Sequence, residues 1–192
     1  MILALDMATK KTGWALFNAE GNLLNYGVIR TTKDDAKERM KEIYEEIYRK
    51  ILEFPKINVV VFEDVPLNNH NNLKTGKDLS ILQGVVLSLC FENELKYALY
   101  NPSAWRSIIG LYNGTREGMK RDYQKQAAVN KVNEIYGFDF VYNETETKTR
   151  QTDDDKAEAI CLGLAYIQEN KEEKNKWKNI IKMELSLIIK KT

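Results

Sequence analysis

The feature that most constrains this chain is a carboxylate set at the end of an apolar run. Ile2, Leu3, Ala4 and Leu5 form a short hydrophobic run without a turn residue, and Asp6 ends it. Such a run fits a strand buried on both faces at the centre of a sheet. An ionised carboxylate beside a core strand is costly unless it is paired or holds a cation. Thr12-Gly13 then leads into Trp14-Ala15-Leu16-Phe17, so Met1–Phe17 reads as two strands with a tight connection. Taken alone, a strand-end Asp is a turn or cap residue. What the rest of the chain brings to Asp6 decides the matter.

Further along, Glu20-Gly21-Asn22 is a turn and Leu24 to Ile29 reads as a third strand, completing an antiparallel meander. Asp34 to Phe54 is an amphipathic helix, with Met40, Ile43, Ile47 and Ile51 at helical spacing and Tyr44 and Tyr48 widening the stripe. The β-branched run Asn58 to Phe62 predicts a second core strand, and it ends in Glu63-Asp64. Pro66 to Gly76 is a polar, Asn-rich loop that contains His70. A helix follows over Lys77–Leu95, then a strand over Tyr97–Tyr100. Pro102 opens a short helix to Ile109, since proline suits a first helical turn. Gln124–Tyr136 and Asp153–Ile167 are helices, separated by a polar loop over Asp139–Gln151. A last helix over 171–192 carries seven Lys against three Glu, with Trp177, Ile181, Leu185 and Ile188 as an apolar stripe. The order predicts an α/β fold with a mixed sheet, a three-strand antiparallel meander followed by parallel strands, flanked by helices.

A third acidic group stands at Asp153-Asp154-Asp155, with Glu158 one turn on. Asp155 is three residues from Glu158 and Asp154 is four, so either shares a helix face with it. By itself this is a capping box favoured by the helix dipole. Together the three groups mean more. Two acids end buried strands and a third group opens a helix that is apolar beyond it. A compact α/β domain can bring these ends to one edge of the sheet. Several carboxylates in one cleft need a cation, and hard divalent ions take such oxygen ligands. Two such ions stabilise the attacking and leaving oxygens of an in-line phosphoryl displacement. That chemistry uses no histidine pair, thiol or organic cofactor.

Composition narrows the classes further. The 192 residues are 43% hydrophobic and 30% charged, which predicts a globular chain with a substantial core. The net charge of +1 gives no global signature of a nucleic-acid binder, so any anionic partner must meet a local basic patch. Cys90 and Cys161, in apolar helical stretches, read as buried free thiols of a reducing compartment. No stretch is long enough to predict a membrane span.

Several of these residues carry a family likeness. Asp6 followed by Thr12-Gly13-Trp14, the β-branched strand ending in Glu63, and Asp155-x-x-Glu158 before an Ala-rich buried helix resemble the RuvC-type Holliday-junction resolvases of the RNase H-like nuclease superfamily. Leu73 to Gly76 running into Gly84-Val85-Val86, Asn101-Pro102 before a helix, and Lys125 at the next helix are also similar. The likeness covers residues 1–168, with 169–192 as a C-terminal basic helix packed on the same domain. It implies that Asp6, Glu63, Asp155 and Glu158 hold two Mg²⁺ or Mn²⁺ ions. It also implies that Lys125 contacts DNA beside them. The activity implied is a metal-dependent endonuclease that resolves four-way junctions as a homodimer by paired phosphodiester hydrolysis. It implies a cytoplasmic, nucleoid-associated protein, or one acting in a host cytoplasm if the chain is of the phage type. The sequence departs from the family at Met7-Ala8, where Pro-Gly is usual, and at Glu158, where Asp or His is common. At Pro66 many bacterial members carry an aromatic residue.

The Pro66 departure keeps open a broader branched-DNA or flap nuclease, or an RNA-processing relative. Actin-like ATPases and sugar kinases also open with a strand, an Asp and a Thr-containing hairpin, but this chain lacks their length and Gly-rich phosphate loops. A silent DNA-binding module would not need the acids. Lys10 and Lys11 at the Asp6 turn, Lys74, and the run Arg116, Lys120 and Arg121 are candidate phosphate contacts. Trp105-Arg106 could stack on and pair with DNA, although a Trp there reads more readily as core. Ile81 and Val85 flank the apolar stripe of Leu79, Leu82, Val86 and Leu89, more than one contact face needs, which predicts a dimer.

Overall fold

The structure is a computed structural model describing residues 1–65, 73–112, 114–143 and 151–189, with side chains as far as residue 172. The expectations for Pro66, His70 and the stripe from Trp177 to Ile188 lie outside the described residues or side chains, as does 144–150 of the expected loop.

Five strands form one mixed sheet. They are β1 (Ile2–Asp6), β2 (Lys11–Phe17), β3 (Leu23–Arg30), β4 (Val59–Glu63) and β5 (Lys96–Tyr100), in the order β3-β2-β1-β4-β5. The meander β1-β2-β3 is antiparallel, and β4 and β5 add to it in parallel. The apolar β1 run therefore sits in the middle of the sheet, as a strand without polar alternation must.

Successive side chains of a strand point to opposite faces, and the core divides accordingly. Ile2, Ala4, Ala15, Phe17, Val59 and Val61 face one layer of helices. Helices α3 (Pro102–Ile108), α4 (Arg121–Tyr136) and the first part of α5 (Asp154–Ile189) contribute to that layer. Leu3, Leu5, Leu16, Val60 and Phe62 face α1 (Ala36–Glu53) and α2 (Leu73–Glu92). On α1 the buried residues are Met40, Ile43, Ile47 and Ile51, the stripe expected from their spacing. Burying each contributes about 1.5–3 kcal/mol. The Asp35 side chain caps this helix by accepting from the Lys37 and Glu38 amides.

Helix α4 begins at Arg121 rather than Gln124, and two further helices differ from the sequence reading. Helix α2 begins at Leu73 rather than Lys77 and runs through Gly76. Ser80 donates to the Gly76 carbonyl at 3.0 Å, inside the helix. Helix α5 continues without a break from Asp154 to Ile189, so residues 171–189 are not a separate helix. At the expected join the Asn170 side-chain amide donates to the Tyr166 carbonyl one turn back, an arrangement compatible with continued helix. Cys90 and Cys161 are both free and buried, and burial pushes the Cys90 thiol up to about 11. Among the described residues no helix is long and apolar enough to cross a membrane.

Candidate active site

Strands β1 and β4 run in parallel, with Leu5 opposite Phe62. The next residues, Asp6 and Glu63, therefore emerge side by side from the same end of the sheet. Ligand sites of open α/β sheets form at such carboxyl ends. Asp6 pairs with Gly13 across the hairpin. A Cβ on residue 13 would lie 1.9 Å from the Asp155 carbonyl oxygen. Only glycine lets the start of α5 rest there; Thr12 and Gly13 lie within β2, not in a turn. Thr12, fully buried, donates to the Ala8 carbonyl at 2.9 Å and closes the loop after Asp6.

Glu158, Glu63 and Asp155 all lie close enough to Asp6 to act on its charge. Burial pushes the Asp6 carboxyl well above the usual range, and the nearby Glu158, Glu63 and Asp155 push it further. Among the described residues no hydrogen bond or ion pair reaches the Asp6 carboxylate. Burial likewise raises Glu158, with Glu63 adding to the shift and Arg106 opposing it. Asp155 is raised by burial and then by Asp154.

Asp154 behaves differently. It is 2% exposed, accepts from Thr152 Oγ1 at 2.6 Å and is ion-paired with Lys125. Burial works to raise its carboxyl, but the Lys125 and Thr152 hydrogen bonds hold it below the usual range. Burial works to lower the Lys125 ammonium, and the Asp154 hydrogen bond leaves it raised. Lys125 thus stands beside the acids by holding Asp154, while Asp155 is one of the acids that act on Asp6.

Two site residues were not recognised in the sequence as partners of the acids. Trp105 Nε1 donates to Glu63 Oε1 at 2.6 Å. Arg106 donates to Glu63 Oε1 at 3.3 Å and to Glu158 Oε1 at 2.5 Å. Their signal was present, since Arg106 is the one charged residue of the short helix PSAWRSI. Trp105 is 1% exposed, in keeping with the core reading of a Trp at this position and not with stacking on DNA.

Beside the acids lies a cavity of about 410 Å³, lined by Lys10, Lys11, Arg121 and Lys125 together with Tyr142, Asn143, Thr152 and Asp155. The structure thus gathers four of the expected basic residues. Lys74, Arg116 and Lys120 do not line it; Lys74 lies on the exposed first turn of α2, and Lys120 pairs with Glu117 at 2.6 Å.

A family model described as "Crossover junction endodeoxyribonuclease RuvC" matches residues 2–135. The chain belongs to the RuvC family. A protein of that description from Baumannia cicadellinicola is 24% identical over 174 residues, covering 88% of this chain and 89% of that protein. Another, from Rickettsia prowazekii, is 28% identical over 116 residues, covering 58% of this chain and 72% of that protein. The fold is similar to that of Thermus thermophilus RuvC solved in complex with a Holliday junction substrate. The TM-score is 0.65 at 16% identity, over 89% of this chain and 95% of that one. The mixed sheet expected from the sequence is the fold these resolvases share.

The donor set fits divalent ions in kind. It is made of carboxylate oxygens, and one of them, on Asp6, is crowded by like charge without a donor of its own. As arranged here, no three acidic, histidine or cysteine groups among the described residues gather around one point. Arg106 stands between Glu63 and Glu158 instead.

Proposed function

We propose that this RuvC-family chain is a metal-dependent endonuclease that cuts four-way DNA junctions. The observation that carries the reading is Asp6, crowded by Glu63, Asp155 and Glu158 at one edge of the sheet, beside a cleft lined with lysine and arginine. Like charge at this density has a use when cations are to be held. Asp6, Glu63, Asp155 and Glu158 would hold one or two Mg²⁺ or Mn²⁺ ions. Such ions stabilise charge on the attacking and leaving oxygens of a phosphodiester.

The remaining work falls to the chain's own residues. Lys10, Lys11 and Arg121 neutralise backbone phosphates along the cleft and set the register of the strand. Lys125, on α4, anchors Asp154 and so ties the start of α5 to α4. The burial of Glu158 and Trp105 keeps bulk water from the back of the site.

A junction has two equivalent strands to cut, which a two-fold dimer matches. Support for a homodimer comes from an apolar groove of about 370 Å³ between α1 and α2, lined by Met40, Tyr44, Ile81 and Val85. Ile81 is 43% exposed in the single chain.

The test is cleavage of a four-way junction, a flap and a nicked duplex, each with Mg²⁺, with Mn²⁺ and with chelator. The expected result is cutting of the four-way junction only with a divalent ion. Faster cutting of the flap would favour the broader branched-DNA reading that Pro66 in place of an aromatic residue suggests. Cutting of none of the three with either ion would overturn the proposal.

A further inference from the structure

The buried Arg106 is the feature of the site that the proposed chemistry does not use. Its guanidinium comes from α3 and bridges acids from two other elements, Glu63 on β4 and Glu158 on α5. It is 8% exposed. The bridge is incomplete, because the Arg106 Nε is buried and has no hydrogen-bond partner. Both bonds to the acids end on a carboxylate Oε1, and the Glu63 Oε1 is shared with the Trp105 indole. These are oxygens that a divalent ion would also need.

We propose that Arg106 is a built-in counter-cation, holding Glu63 and Glu158 together without metal, and that a divalent ion binds by displacing its guanidinium. The inference rests on the metal-dependent reading above. Glu158 is buried and the Glu63 side chain is a quarter exposed; the two carboxylates, on separate elements, repel each other, and one guanidinium holds them close together. A dication delivers more charge to the same oxygens, so the two cations exclude one another there. Once released, the guanidinium keeps a neighbour. Its Cζ already lies 4.2 Å from the centroid of the Trp105 ring, a cation–π contact that survives a swing away from the acids. The Pro102 carbonyl accepts at 3.0 Å from the same Arg106 Nη1 that donates to Glu63, so that nitrogen keeps a partner when the acid is given up. Arg106 is thus a positioning residue. It keeps the acids placed for metal and sets how tightly metal binds.

The test is made on the full chain without DNA. Mn²⁺ is titrated by calorimetry into wild type, Arg106→Gln and Arg106→Lys, and each is melted with and without the ion. Removing the competing charge should tighten Mn²⁺ binding about tenfold in Arg106→Gln while lowering the metal-free melting temperature. Arg106→Lys, which keeps the charge, should bind close to wild type. As a measurement independent of how well Arg106→Gln folds, the Arg106 Nε–H resonance of the wild type is followed as well. It should shift as Mg²⁺ saturates the site. Equal or weaker Mn²⁺ binding in Arg106→Gln overturns the proposal and leaves the metal-dependent reading standing. So does an Nε–H resonance that stays fixed while Mg²⁺ binds. No binding of either ion to any variant overturns both.

Discussion

The carbonyl oxygen of Asp155 lies 1.9 Å from where a Cβ on residue 13 would be, so the β1-β2 hairpin and the start of α5 touch backbone to side-chain position. The acids from the strands and the acids from the helix are brought together by the absence of a methyl group. Gly13→Ala should push α5 away from Asp6. The expected cost is about 1–3 kcal/mol, or a fall in melting temperature of about 2–12 °C. Cleavage should fall much further than stability. A variant that melts and cuts like wild type would show that α5 does not rest on this hairpin.

Asp6→Asn should abolish cleavage and leave junction binding equal or tighter, because it removes a ligand and also a charge that repels phosphate. Its effect on metal-free stability has a definite sign. Burial and three neighbouring acids raise the Asp6 carboxyl well above 3.8. Above pH 3.8 the unfolded chain releases a proton that the folded chain keeps, so stability falls as pH rises from 3.8 up to the raised value and levels off beyond it. Chemical denaturation across that range should show a decline in wild type that is smaller in Asp6→Asn. A saturating divalent ion should remove it.

Asp154 and Asp155 are neighbours with separate roles. Asp154→Asn leaves Lys125 facing a neutral amide in a nearly buried place and should cost about 3 kcal/mol of stability. Asp155→Asn should leave the melting temperature near wild type and remove most of the cleavage rate. Thermal unfolding and single-turnover cleavage on both variants measure the split. The reverse pattern would place the ligand one residue earlier.

Ile81→Glu tests the dimer. It puts a charge in the groove between α1 and α2, on a side chain 43% exposed in the single chain. Light scattering at micromolar concentration should give twice the 22.3 kDa chain mass for wild type and the chain mass itself for the variant. A wild type that scatters as a single chain would sink the paired-cut reading.

Much of the fold was legible along the chain. Apolar runs without alternation in Ile2–Leu5 and Val59–Phe62 mark strands covered on both faces, and the spacing of Met40, Ile43, Ile47 and Ile51 marks a one-sided helix. These are local periodicities, written where they act. Helix ends were less legible. Gly76 and Asn170 are break signals by propensity, worth about 1 kcal/mol or less each, and helices α2 and α5 run through them.

The site divides in the same way. The sequence by itself determined the kinds of group and the chain positions from which they come. Asp6 and Glu63 each end a core strand and Asp155 and Glu158 open a helix that is apolar beyond them; each has an ordinary structural use alone, and only their occurrence together pointed to one site. Only the tertiary structure decided which of the paired aspartates is taken by Lys125, which basic residues line the cleft, and that Trp105 and Arg106 close on Glu63. Those pairings join residues far apart in the chain, 42 positions for Trp105 with Glu63 and 52 for Arg106 with Glu158. No local pattern encodes such a distance. It is set by how β4, α3 and α5 pack around one shared core.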